Sequence, residues 1–187
     1  EPLIVHQNAS TQAAWAKGEE LLRRVGIPDA RSRLDAYPHQ FSGGMRQRVM
    51  VAMAMACEPA LVIADEPTTA LDVTVQAQIL DLMREIRETA GTAFVLITHD
   101  MGVAAGFCDE INVMYAGRVV ERGPTADLFA DPRHPYTKAL LKSVPRLDDP
   151  PGGKFVPIPG QPPDLTSLPA GCAYASRCPY VVDRCRT

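Results

Sequence analysis

No apolar run in these 187 residues approaches the roughly 18 needed for a helix to cross a bilayer, so a spanning helix is excluded. The opening EPLIVHQNAS lacks the charged and apolar regions of a signal peptide, and the chain reads as cytosolic. It also begins without Met, which leaves an upstream segment open. A strong charge of one sign is missing as well: the net charge of -3 gives no basic footprint for nucleic acid as the main partner, although a local basic patch stays open. No internal repeat is present. The 46% hydrophobic content is ordinary and allows a sizeable core, in one compact domain or a core with an appendage.

Of the five cysteines, Cys57 and Cys108 are isolated in apolar surroundings and read as small buried hydrophobes, whereas Cys172, Cys178 and Cys185 crowd the last segment.

Up to about Cys57 the signals are helical. AAWAKGEELLRRVGI brings Trp15, Leu22 and Val25 to one face, and Gly26, Pro28 and Pro38 punctuate a turn region. A second helix is expected after Ser42, Gly43 and Gly44, running through RQRVMVAMAMA with its Met and Val residues in the core. After Pro59 the texture changes. LVIA and AFVLIT are short apolar runs of the kind used by strands covered on both faces, and between them Val75, Ile79, Leu82, Met83 and Ile86 recur at helical spacing before Gly91. Strand, helix, strand is the crossover unit of an α/β fold with parallel strands. EINVMY and RVVERG flank Ala116 and Gly117 as a hairpin; Thr125 is expected to cap a short helix, and Pro135 to open another reaching Val144. Eight prolines from Pro145 to Pro169 then argue for an extended appendage that ends in the cysteine cluster.

A strand ending in Asp65 and Glu66 delivers two carboxylates to the mouth of a parallel sheet, where such sheets bind ligands. The first suits magnesium held through water, and the second suits orienting or deprotonating an attacking water. Upstream, Ser42, Gly43 and Gly44 precede a helix whose free N–H groups can face an anion, and the plainer reading is a helix cap by Ser42. His99 ends the next strand within ITHD, placing an imidazole at the same edge, with a purely structural role as the alternative.

In this order and spacing the motifs resemble those of the ABC-transporter ATPase family. FSGGM is similar to its LSGGQ signature, with Phe41 and Met45 as departures; LVIADE resembles its Walker B strand, ALD (Ala70, Leu71, Asp72) its D-loop, and ITHD its histidine switch. The resemblance implies a partial P-loop-type core: a helical subdomain over residues 1–57, an ATPase core over 58–130 and a Pro/Cys-rich extension over 131–187. It implies ATP and magnesium as cofactors, Glu66 and His99 as catalytic residues, Asp65 on magnesium, and Ser42, Gly43, Gly44 and Asp72 at the nucleotide. It implies a dimer in which Ser42, Gly43 and Gly44 contact the partner's ATP. The family's GxxxxGK[ST] loop and its glutamine loop are absent from the sequence, so the chain is expected to be a C-terminal portion that is inactive alone.

The tail HPYTKALLKSVPRLD, IPGQPPDL and GCAYASRCPYVVDRC resembles the C-terminal extension of oligopeptide and dipeptide importer ATPases. That branch implies permease subunits as partners, a peripheral place on the cytoplasmic membrane face, and no direct contact with the transported peptide. Some of its members carry a 4Fe-4S cluster on a similar cysteine set, so for Cys172, Cys178 and Cys185 a cluster and plain structural thiols are the two readings. Nickel, glutathione and opine importers use similar ATPases. From other classes, a soluble ABC-type ATPase acting on nucleic acid and a non-catalytic interaction module are the alternatives.

Overall fold

The computed structural model describes residues 1–69, 71–143 and 157–187. The chain divides into two compact units, Glu1–His99 and Asp100–Thr187. Ala70 and Val144 lie outside the described residues, as does the first part of the proline-rich stretch, residues 145–156.

The first unit opens with helices α1 (Pro2–Gln7), α2 (Thr11–Arg24), the single turn α3 (Ala30–Arg33) and α4 (Gly43–Met55). They are followed by strand β1 (Leu61–Asp65), helix α5 (Val73–Ala90) and strand β2 (Ala93–Ile97). Each long helix starts on a side-chain cap: Ser10 accepts Ala13 N–H, Ser42 accepts Met45 N–H and Asp72 accepts Val75 N–H. Helix α5 stops where expected, at Gly91 with φ +65°, a conformation that glycine adopts without strain. One core joins Leu21, Leu22 and Val25 to Phe41, Ala52 and Met55 of the α4 region, and to Leu82 and Ile86 of α5. Arg48 ties these layers together, donating to Val25 O at 2.7 Å and to Gln78 Oε1 at 3.1 Å.

β1 and β2 pair in parallel, Leu61 opposite Ala93 and Asp65 opposite Ile97. The expected burial on both faces is not what these strands show. Val62 and Phe94 pack on the helical core, but Leu61, Ile63, Val95 and Ile97 are exposed, Ile63 at 66%. A continuous aliphatic run supplies two apolar faces, and here one of them is covered. Two more expectations in this unit need correction. Met50 and Met53 are exposed, Met53 at 62%, whereas Ala52 and Met55 are buried in the core and Met45, Val49 and Val51 pack against it. Cys57 is half-buried. Trp15, on the face shared with Leu22 and Val25, is 38% exposed and lines an open apolar groove.

The second unit holds α6 (Met101–Phe107), the antiparallel strands β3 (Glu110–Tyr115) and β4 (Arg118–Pro124), α7 (Thr125–Ala130) and α8 (Pro135–Ser143). The hairpin turns on Ala116 and Gly117, both with positive φ, as a two-residue turn between twisted strands requires. Thr125 is the first residue of α7 rather than its cap: its hydroxyl donates to Cys108 O at 2.6 Å. Cys108 too is half-buried, against a core of Met101, Ala104, Ile111, Val113 and Leu128.

Residues 157–187 contribute two short 3-10 turns and no longer element. They are anchored within this unit by Tyr174, 1% exposed, whose ring meets Tyr115 at 5.2 Å and Tyr136 at 5.4 Å. Arg177 donates to Pro159 O, Ile158 O and the Tyr115 hydroxyl. Glu121 fastens α8 to the hairpin by accepting the backbone N–H groups of Arg133 and, at 3.0 Å, His134.

Candidate functional site

In-register parallel strands that stop together release their next residues at one edge. β1 ends at Asp65 and β2 at its register partner Ile97, so Glu66 and His99 leave the sheet side by side. Glu66 N–H donates to Ile97 O at 2.9 Å, extending the ladder one step, and His99 Nδ1 lies 2.9 Å from Glu66 Oε1. An ionised carboxylate only accepts, so Nδ1 carries the proton in this contact. The ring is open to solvent, its side chain 80% exposed, and Glu66 is half-buried.

A third group completes the arrangement. Pro67 and Thr68, both buried, turn the chain so that Thr69 N–H reaches Glu66 O at 3.2 Å, and the Thr69 hydroxyl donates to Glu66 Oε2 at 2.7 Å. Proline at the second position of a four-residue turn has the φ that such a turn needs. Sequence reasoning missed Thr69; the signal was available in EPTT, where a turn at Pro67 brings the fourth residue back to the first. Both carboxylate oxygens of Glu66 are thus held. The Thr69 hydroxyl first, and then the His99 ring, stabilise the charged form and keep this carboxyl below the usual glutamate range despite its partial desolvation. Its backbone has φ +49°, a left-handed conformation unfavourable for a residue with a β-carbon. Such outliers gather where the surroundings dictate geometry.

Asp65 closes β1 with an exposed side chain. It belongs to no ready-made metal cage: among the described residues no three His, Cys, Asp or Glu side chains are grouped to hold an ion. A lone carboxylate still fits magnesium, which commonly keeps its waters and takes its other ligands from phosphate oxygens.

The Ser42, Gly43 and Gly44 turn sits at the start of α4, with Ser42 and Gly43 exposed and Gly44 half-buried. Ser42 Oγ accepts Met45 N–H at 3.3 Å, the helix-cap geometry. A β-carbon at Gly44 would come within 2.7 Å of Val75 Cγ1, so glycine lets the turn press against the start of α5. Asp72 caps α5 through a 2.9 Å bond to Val75 N–H. The structure therefore joins Glu66, His99 and Thr69 in one cluster, and Gly44 to Val75 in another contact; Ser42 and Asp72 each bond to their own helix.

Among the described residues the three late cysteines are not grouped as a metal-binding set. All are free and half-buried; Cys172 and Cys185 meet through the backbone, N–H to O at 2.9 Å, and Cys178 Sγ accepts Tyr180 N–H at 3.4 Å. With no three potential ligands grouped among the described residues, the cluster reading gains no support from the structure.

Comparison with known proteins extends this picture. Residues 2–69 match the ABC transporter family, and residues 120–185 match the C-terminal region of oligopeptide/dipeptide transporters. The chain is 52% identical over 185 residues to the oligopeptide transport ATP-binding protein OppD of Salmonella typhimurium, an alignment covering 99% of this chain and 55% of the relative. It is 56% identical over 179 residues to the dipeptide transport ATP-binding protein DppD of Bacillus subtilis, covering 96% of this chain and 53% of the relative. It thus spans about half the length of the curated relatives it matches. Among solved structures, cbiO1 of Clostridium perfringens, part of the ABC transporter complex cbiONQ, superposes with a TM-score of 0.59 at 30% identity, covering 68% of this chain and 49% of that one.

Proposed function

Because the chain belongs to the ABC transporter family and carries an oligopeptide/dipeptide transporter C-terminal region, we propose that in its full-length form it is the ATP-hydrolysing subunit of an importer for di- or oligopeptides. The observation that carries this reading is the Glu66 carboxylate, held at the sheet edge by His99 and Thr69.

ATP would bring the electrophilic phosphorus, and a magnesium ion would neutralise charge on its phosphates. Asp65 would hold that ion through water. Glu66, ionised and fixed in orientation, aligns the attacking water and takes up its proton; phosphoryl transfer asks the protein chiefly for such positioning and charge stabilisation. His99 keeps Glu66 in place through Nδ1 and presents its exposed ring toward the phosphates. Ser42, Gly43, Gly44 and the free N–H groups that begin α4 form a donor surface for the nucleotide bound on a second ATPase subunit. Asp72, beside that surface, belongs to the same nucleotide environment.

Residues 1–57 serve as the helical subdomain, 58–130 as the ATPase core and 131–187 as the importer-type extension. The GxxxxGK[ST] phosphate loop is absent from these 187 residues, so the chain alone does not turn over ATP. No helix among the described residues is long and apolar enough to cross a membrane. The subunit sits on the cytoplasmic face through permease partners, and peptide recognition resides outside it.

Glu66→Gln in the full-length protein, assembled with its transporter, tests this reading. The variant should bind ATP as the parent does and lose hydrolysis by a factor of about 100 or more. An unchanged turnover rate would remove Glu66 from the mechanism.

A further inference from the structure

Hydroxyl side chains in tight turns usually bond to nearby backbone and so reinforce the turn itself. Thr69 departs from that habit. Its backbone N–H already closes the turn onto Glu66 O at 3.2 Å, and its hydroxyl is directed at the Glu66 carboxylate, 2.7 Å away. We propose that Thr69 is a positioning residue for Glu66, which together with His99 fixes the plane of the carboxylate that faces the attacking water. The proposal rests on the reading of Glu66 given above and names a residue that the motif comparison did not.

The geometry explains why two holders are needed. The terminal torsion of a glutamate is broad, so a carboxylate held at one oxygen can swing about that single bond. Here Oε1 meets the His99 ring, from the end of β2, while Oε2 meets the Thr69 hydroxyl, from the turn after β1. The two donors come from different chain segments, and the bond from Glu66 N–H to Ile97 O locks those segments together. The left-handed φ at Glu66 fits a residue whose backbone and side chain are both dictated by neighbours. Each carboxylate oxygen keeps a second lone-pair direction, which is where a water can be received. Thr69 is exposed, so a change there removes a hydrogen bond without opening a cavity.

Two variants separate the hydroxyl from mere bulk: Thr69→Val keeps the shape and removes the donor, and Thr69→Ser keeps the donor. In the 187-residue chain, labelled with carbon-13 at glutamate carboxyls and assigned through Glu66→Gln, the Glu66 carboxyl resonance at neutral pH should shift in Thr69→Val and return in Thr69→Ser. In the full-length protein within its transporter, Thr69→Val should lower kcat about 10- to 100-fold with little change in the KM for ATP. Thr69→Ser should restore kcat. A Thr69→Val protein whose Glu66 carboxyl resonance and kcat both match the parent, while Glu66→Gln is inactive, overturns the role of Thr69 and leaves that of Glu66 standing. An active Glu66→Gln overturns the underlying reading instead.

Discussion

Adding one methyl group at Gly44 tests how closely the exposed turn is built against α5. An alanine β-carbon there would lie 2.7 Å from Val75 Cγ1 and 3.6 Å from Cγ2, the first well inside van der Waals contact. Valine is stiff about χ1, so it cannot swing its methyl aside as a long side chain would. Overpacking of this kind costs about 1–3 kcal/mol. Alanine returns up to about 1 kcal/mol as a better helix former, and less than that in the first turn of α4. The net expectation is a loss of about 1–2 kcal/mol. Trp15, the single tryptophan, lies in the same unit, so urea unfolding followed by its fluorescence reports on the right part of the chain. Gly43→Ala is the control: its β-carbon would find only Leu71 Cδ2 at 3.9 Å, and it should stay within about 0.5 kcal/mol of the parent. In Gly44→Ala combined with Val75→Ala, the loss due to Gly44→Ala should largely disappear, as expected for residues in direct contact. A Gly44→Ala chain as stable as the parent, or an additive double variant, would refute the packing argument.

Asp72→Ala removes the acceptor for Val75 N–H at the start of α5 and should lower stability by about 1 kcal/mol in the same unfolding assay, with Asp72→Asn retaining most of it. In the second unit, burial pushes the Glu121 carboxyl up, but the Thr137 hydroxyl, close by though short of full hydrogen-bond geometry, and the N–H groups of Arg133 and His134 outweigh it and hold this carboxyl below its usual value. Because the folded form binds its proton less readily, this stability is present above the unfolded glutamate value and fades as pH falls through the lower folded one. Glu121→Gln should destabilise the chain by about 1–2 kcal/mol at neutral pH, seen as a lower melting temperature, and should flatten the acid limb of stability against pH.

The parts of the fold that could be read from sequence are those where one physical rule acts alone. Helix α5 shows its period in Ile79, Leu82, Met83 and Ile86 and its end in Gly91, and the hairpin shows its turn in Ala116 and Gly117. The adjacency of Glu66 and His99 was legible for a similar reason, since two strands in parallel register end at one edge. The misses occur where composition is blind to which side is covered. Met50 and Met53 are as apolar as Met55 yet face outward, and the aliphatic strands have one exposed face. Helix α6, Met101–Phe107, is too short and too rich in small residues to carry a periodic signal; the structure shows it held by Asp100, whose carboxylate accepts Gly102 and Val103 N–H. At Thr69 the turn after Pro67 was legible in EPTT, but not the partner of its hydroxyl, which looks the same in sequence whether it serves the backbone or a neighbour's carboxylate.

The division of labour between the two surfaces of the first unit can be seen directly in the full-length Glu66→Gln protein, assembled with its partner subunits and magnesium-ATP and imaged by electron cryomicroscopy. The account predicts that Asp65 and His99 lie against the nucleotide of their own subunit, and that Ser42, Gly43 and the first N–H groups of α4 meet the γ-phosphate of the nucleotide held by the neighbouring ATPase. A nucleotide contacted by Asp65, His99 and Ser42 of one and the same chain, or a Ser42 turn that touches no nucleotide, would contradict it.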